Sequence, residues 1–400
     1  MAEQYLFILG RQPQLSVAEI AAVARARQLA ITWQTITASY ALVEGDITPD
    51  FFKQLAGSIK LAQVLAEVEY KPNIIRDFVF NYLSSLTGGC LFGFSWYGHK
   101  IPSWLKPMGL ELKREIKDSG RRARLVESRQ DVLSSVVVQK NHLLPPRGTE
   151  FILQPFSETR IIIARTVAVQ EFAEWSERDY GRPERDSRVG MLPPKLARLM
   201  INLTQGELAE PLLDPFCGSG TVLQEAVALG YKSIWGSDID KQGIERTAAN
   251  LQWLRQKHPE WQFEEKLLAA DVRQLKTQLK DIKFGAMVTE PYLGPTSRIF
   301  DIKQYQAVAK DLVSLYRLAL KNLAVLILPG RRLVMVWPVF HLGAKLLYLP
   351  LVNELSSLGW KVENILPPQA PPAWCDKRGS LLYERPGQRV GREVFVLRKV

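Results

Sequence analysis

Two short segments of this 400-residue chain carry residue types whose spacing suits chemistry. In the first, Pro211-Leu212-Leu213-Asp214-Pro215-Phe216-Cys217-Gly218-Ser219-Gly220-Thr221, an apolar run ends in an acid and a glycine-rich turn, and a helix-compatible stretch follows. A strand-to-loop-to-helix crossover presents its C-terminal edge to a nucleotide-like ligand in this way. Gly218 and Gly220 remove side chains where the backbone approaches a ligand closely or takes positive φ. The third glycine of a dinucleotide fingerprint is missing, and an acid at a strand end suits a cationic amino group better than a phosphate. The α-amino group of S-adenosylmethionine is such a partner, with Phe216 and Thr221 flanking the turn.

In the second segment, Thr289-Glu290-Pro291-Tyr292 sets a hydroxyl, a carboxylate, a rigid proline and an aromatic ring side by side at a strand end. That set suits a flat base with an exocyclic amine. Tyr292 would stack on a flipped or unpaired base while a carbonyl and an acid accept the amine's protons. Such an amine is a poor nucleophile because its lone pair is delocalised into the ring, so catalysis reduces largely to positioning and to desolvating a cationic donor. Asp238, closing Trp235-Gly236-Ser237-Asp238, is placed to accept from ribose hydroxyls, with Ile239 beside it. Asp271 either accepts from an adenine amine or simply caps the next helix.

The elements that must position these residues alternate. From residue 211 strands are expected at 211–213, 233–237, 263–268, 284–289, 332–337, 360–364 and 393–398, with helices at 221–229, 241–254, 303–321 and 344–357. That order predicts a doubly wound, mainly parallel α/β sheet. Pro386-Gly387 between two extended runs predicts a closing hairpin. Residues 169–195 are charge-dense without a period and read as a linker or ordered loop, before a helix from Leu196 to Leu203.

The N-terminal part reads as α+β. Residues 5–9 and 40–43 are expected strands, Ser16 is an expected cap for a helix to about Arg27, and a helix is expected from Pro49 to Ala56. Further on, helical spacing covers 73–86 and 104–117, and strands are expected at 90–97, 125–126, 151–153 and 160–164. Between residues 100 and 130 lie nine Lys or Arg against four Asp or Glu, including Lys113, Arg114, Lys117, Arg121, Arg122 and Arg124. Such a run is either a solvated helix face or a phosphate-contacting patch, with Trp96, Tyr97 and Trp104 as nearby stacking candidates.

Bulk properties agree with a nucleic-acid partner without requiring one. The net charge is +11 and the hydrophobic fraction 46%. Three cysteines and four scattered histidines, with no CxxC pair, point to neither a disulfide framework nor a zinc site. The opening Met1-Ala2-Glu3-Gln4 lacks a signal-peptide pattern, and no apolar stretch reaches the about 18 residues a membrane span needs, so a cytoplasmic protein is expected.

Residues 190–300 resemble the amino-methyltransferases whose fourth motif is (D/N)PP(Y/F), most closely the tRNA guanine-N2 methyltransferases that carry a THUMP domain. The resemblance rests on Arg178-Asp179, Arg182-Pro183, Arg185-Asp186, Gly190 to Lys195, Asp214 to Thr221, Thr289 to Tyr292 and Tyr383 to Gln388. It implies a ferredoxin-like module at 1–70, a THUMP domain at 71–168, a linker at 169–190 and a Rossmann-like methyltransferase domain at 191–400. It also implies that Asp214, Gly218, Gly220 and Asp238 bind S-adenosylmethionine, with Pro194 and Lys195 near its methionine end. The implied substrate is tRNA, held at its acceptor stem and 3′ end and methylated on guanosine N2, typically at position 10. No metal and no membrane are expected, and an accessory protein subunit is left open as a further partner. The motif departs from the family in one place: Thr289-Glu290-Pro291-Tyr292 stands where Asp-Pro-Pro-Tyr is usual, and Glu290 is taken as the acid. An rRNA guanine-N2 enzyme, a DNA amino-methyltransferase and an inactive RNA-binding homologue are the alternatives.

Overall fold

The computed structural model describes residues 3–185, 191–295, 301–374, 376–385, 388 and 390–400. Two compact units emerge: residues 1–10, 30–53 and 58–172 make the first, and residues 11–29, 54–57 and 173–400 the second. Among the described residues no helix is long and apolar enough to cross a membrane. The expected hairpin tip at Pro386-Gly387, Cys375, and the motif residues Asp186 and Gly190 lie outside the described residues.

The first unit is built on one eight-stranded sheet, ordered Ile31–Ile36, Tyr40–Gly45, Gln4–Leu9, Ser58–Glu69, Arg160–Val169, Thr149–Pro155, Cys90–Trp96 and Ala123–Val126. Strands from 1–70 and from 71–168 thus share a single hydrogen-bonded sheet. Its long central strand, Ser58–Glu69, has no counterpart among the expected elements, and neither has Ile31–Ile36. Lys60 explains part of this: a charge in mid-strand argues for solvent, yet its ammonium is buried against Glu150 and donates to the Leu133 carbonyl at 2.6 Å. Ser95 and Thr166 hydroxyls also donate to the Glu150 carboxylate, so the buried pair is saturated with hydrogen bonds. Helices Pro72–Ser85 and Leu105–Asp118 bury Ile75, Val79, Leu83, Met108, Leu112 and Ile116 in one core with Phe92, Phe151 and Leu153.

The second unit carries a nine-stranded sheet. Its main path runs Glu264–Ala269, Ser233–Asp238, Leu212–Asp214, Phe284–Thr289, Ile327–Leu342, Val390–Lys399 and Trp360–Val362. The first five are mutually parallel, and Val390–Lys399 is antiparallel to its neighbours. The expected doubly wound, mainly parallel sheet is present. Alternate strand residues face opposite ways, and Leu213, Met287, Leu333, Met335 and Trp337 enter a core with Leu312, Tyr316 and Leu320 of the long helix Ile302–Leu323.

Two local expectations are corrected. Helix Pro13–Ala26 begins before Ser16, whose hydroxyl donates within the fold to the Gln12 and Gly57 carbonyls instead of capping. The expected helix at 344–357 is a strand, Lys345–Tyr348, folded back on Ile327–Leu342, followed by a 3-10 turn at Val352–Glu354. Gly343 makes the turn at φ +60°, and Pro350, lacking an N–H, is unsuited to a helix interior. The stretch read as a linker or ordered loop holds an α-helical turn, Phe172–Ser176, and a π-helical turn, Glu177–Gly181. These anchor it: Arg178 and Arg198 both donate to the buried Glu225, at 2.7 and 2.9 Å, and both guanidinium groups lie over Trp175.

Candidate active site

Four parallel strand ends and the loops after them enclose a cavity of about 720 Å³ in the second unit. Asp214, Phe216, Gly218, Thr221, Asp238, Ile239, Asp271, Glu290, Pro291 and Tyr292, all expected site residues, line it together. Thr289, Gly220, Pro194 and Lys195 are not among its walls. Pro194 is instead the buried first residue of helix Pro194–Leu203, and Lys195 sets its ammonium 5.5 Å from the Trp175 ring centroid. Met191 and Leu192, just before them, reach the cavity.

The turn after Leu212–Asp214 is shaped by its two glycines. Gly218 has φ +53°, and a Cβ added there would meet no atom within 4 Å, so that face of the backbone is open. Gly220 has φ +81°, and a Cβ there would stand 2.9 Å from Thr247 Cγ2; its glycine is a packing requirement of the helix start. The Gly218 N–H donates to Asp238 Oδ2 at 2.9 Å, and the Asp240 N–H to Asp238 Oδ1 at 2.9 Å, which fixes the Asp238 carboxylate with lone pairs to spare.

Asp214 is buried and accepts from the Thr289 hydroxyl at 2.8 Å and the Phe216 N–H at 3.1 Å. Burial pushes its carboxyl up to about 7, against these two donors, and the nearby Asp238 and Glu290 push the same way. Asp271 does cap: it accepts from the Arg273 N–H at 2.9 Å at the start of helix Val272–Gln278, and its pairing with the Arg273 guanidinium holds its carboxyl low. It lines the cavity as well, so the two roles foreseen for it are compatible in space.

The Thr289 tetrad divides between inside and outside. Thr289 is fully buried and its hydroxyl is spent on Asp214. Glu290 faces the cavity and receives two hydrogen bonds from Arg392, Nε to Oε2 at 2.5 Å and Nη2 to Oε1 at 2.9 Å. Pro291 is buried, and Tyr292 is 53% exposed with its carbonyl accepting from the Tyr316 hydroxyl at 2.8 Å. An aromatic face open at the rim, beside an anchored carboxylate, suits a planar ligand with N–H donors.

Several contributors lie outside the motifs, and Arg182, which belongs to one, gains a role at the cavity only from the fold. Arg392 comes from the Val390–Lys399 strand, far along the chain, and only the strand's alternation hints that it and Glu393 face opposite ways. Arg182 is buried and donates to Thr221 Oγ1 at 2.7 Å, so the charge-dense segment braces the cavity floor. Asp311, Ser314 and Leu318 share one face of the Ile302–Leu323 helix and also line the cavity.

The expected RNA-contacting residues belong to the first unit, by themselves. Arg114, Lys117, Arg122 and Arg124 are exposed, and Lys113 is half-buried. Arg124 donates to Asn141 Oδ1 at 3.0 Å. Arg121 is committed elsewhere: it donates to the carbonyls of Leu83, Leu86 and Gly88 at 3.0, 2.6 and 3.0 Å. Trp96 and Trp104 pack edge to face at 6.1 Å in the core, where Trp96 is buried.

Residues 182–336 match the family described as UPF0020, RMKL-like, methyltransferase domain. The chain is 36% identical over 136 residues to a tRNA (guanine(10)-N2)-dimethyltransferase of Methanothermobacter thermautotrophicus, covering 34% of this chain and 37% of that one. It is 30% identical over 161 residues to the Pyrococcus abyssi protein of the same name, covering 40% and 46%. The match therefore spans less than half the length of these curated relatives. In fold, the chain is similar to TrmN from Thermus thermophilus, with TM-score 0.54 at 15% identity over 99% of this chain and all of that one. It is also similar to a possible methylase from Clostridium difficile 630, with TM-score 0.50 at 13% identity over 100% and 99%. The second unit has a Rossmann-like methyltransferase fold, and the family match over residues 182–336 agrees with the resemblance carried by the Asp214 and Glu290 motifs.

Proposed function

We propose that this protein transfers a methyl group from S-adenosylmethionine to the exocyclic N2 amine of a guanosine in tRNA, at position 10 as the names of its relatives indicate. The observation that carries the reading is that the glycine-turn acids and Glu290-Pro291-Tyr292 line one cavity. Residues 1–70 and 71–168 are assigned as the ferredoxin-like module and THUMP domain that hold the RNA, and the linker at 169–190 leads into the methyltransferase domain.

The residues present fit the cofactor. Gly218 leaves an opening without a side chain, Asp214 offers a buried carboxyl to an ammonium group, and Asp238 has free lone pairs for ribose hydroxyls. S-adenosylmethionine supplies an electrophilic methyl on a sulfonium. Glu290 accepts an N2–H hydrogen bond and turns the nitrogen lone pair toward that methyl, while Tyr292 stacks on the base and Pro291 fixes the backbone between them. Glu290, or water beside it, would take the proton that the amine gives up when the cofactor's methyl is transferred to it.

The test is to incubate the purified chain with S-adenosylmethionine and an unmodified tRNA transcript, then to analyse nucleosides by mass spectrometry. N2-methylguanosine at one position is expected, lost when that guanosine is replaced by adenosine. Cofactor binding without any methylguanosine on tRNA overturns the substrate assignment, and absence of cofactor binding overturns the enzyme.

A further inference from the structure

We propose that Arg392 is a positioning residue that holds the Glu290 carboxylate in its amine-accepting orientation. The inference rests on the reading of Glu290 as the acceptor group. The pair is bidentate, both side chains are only 10% exposed, and both line the cavity. A planar guanidinium fork engaging both carboxylate oxygens fixes the plane of the carboxylate, and each oxygen keeps a lone pair for an incoming N–H.

The need for such a hold follows from residue type. Glutamate carries one more methylene than the aspartate usual in (D/N)PP(Y/F), and with it an extra rotatable bond that must be frozen before the amine can be oriented. The backbone end of Glu290 is already fixed by Pro291 and by the Tyr316 hydroxyl on the Tyr292 carbonyl. Arg392 fixes the other end, from a strand that is itself pinned on both edges: Arg392 pairs in register with Pro338 on one side and Tyr383 on the other. The next residue, Glu393, is buried and paired with Arg378 and Ser380, while Arg392, pointing the other way from the strand, reaches the cavity.

Three variants of the full chain test this, each assayed with tRNA transcript and S-adenosylmethionine. Arg392→Lys keeps the charge and loses the fork; kcat should fall about tenfold with tRNA KM and cofactor Kd within threefold of wild type. Arg392→Met should lower kcat at least a hundredfold, again with cofactor Kd unchanged, so lysine is a partial rescue. Unchanged kcat in Arg392→Lys overturns the inference, as does a rise in KM or cofactor Kd that matches the loss of kcat, because a merely structural residue gives that pattern. Should Arg392→Met fail to fold, Arg392→Lys decides alone. Glu290→Gln separates the two levels: wild-type turnover there sinks the acceptor reading itself, whereas an inactive Glu290→Gln with active Arg392 variants sinks only the positioning role.

Discussion

Asp214, proposed above as the partner of a cationic ammonium, carries a cost in the empty protein. Burial raises its pKa from 3.8 to about 7 despite two hydrogen-bond donors. A carboxyl raised in the folded state contributes stability that is fully present below its unfolded value and is lost as pH rises through the folded one. The empty protein should thus lose stability between about pH 4 and 7, a loss shared with Glu19, also raised to about 7 by burial. An ammonium group beside Asp214 reverses the preference, because it stabilises the charged form. S-adenosylmethionine should therefore bind more tightly as pH rises through 7, with proton release at pH 6 visible by calorimetry in buffers of different ionisation enthalpy. Asp214→Asn should flatten the pH dependence and raise the melting temperature of the empty protein at pH 8. A cofactor Kd that is flat from pH 5.5 to 8 in the wild type would remove Asp214 from the ammonium site.

At the scale of elements, Arg121 changes meaning once the helix before it is seen. The last carbonyls of a helix have no partner within it, and Arg121 reaches those of Leu83, Ser84 and Leu86 beyond helix Pro72–Ser85. Arg121→Ala should cost the first unit about 1 to 3 kcal/mol in a urea titration, the scale of lost hydrogen bonds to a charged group. Arg122→Ala, at an exposed position, should leave the urea midpoint unchanged; equal midpoints for the two variants would refute the capping role. The same contrast explains what was legible in the sequence. The strands and turns around Asp214, Asp238 and Glu290 announce themselves because each ends an apolar run at a point where local chemistry changes. Ser58–Glu69 was hidden because Lys60 is neutralised by Glu150, a partner that only the sheet brings near. The leucines of Lys345–Tyr348 suit either period, and pairing with Ile327–Leu342 makes the segment a strand. The partners of the tetrad were not legible, because the Thr289 hydroxyl donates to Asp214 and Glu290 accepts from Arg392, both far away in sequence.

At the scale of the whole molecule, a net charge of +11 makes binding to a polyanion sensitive to salt, whichever residues make the contacts. The question is how much of that sensitivity comes from the exposed basic residues of the first unit. Arg114 and Lys117 lie on helix Leu105–Asp118 and Arg122 just beyond it, and all three are exposed. Each phosphate contact removed should lower the slope of log K against log salt by roughly 0.7 to 0.9, so the triple alanine variant should lose roughly 2 to 3 units of slope if all three contact tRNA. Because these residues are remote in sequence from the Asp214 and Glu290 motifs, kcat at saturating tRNA should hold while the tRNA Kd rises, most steeply at low salt. Titrations of labelled tRNA from about 50 to 300 mM salt measure the slope directly, a range in which several phosphate contacts change affinity by orders of magnitude. An unchanged slope would mean that the charge run is a solvated helix face and that the RNA is held by other cations of the chain.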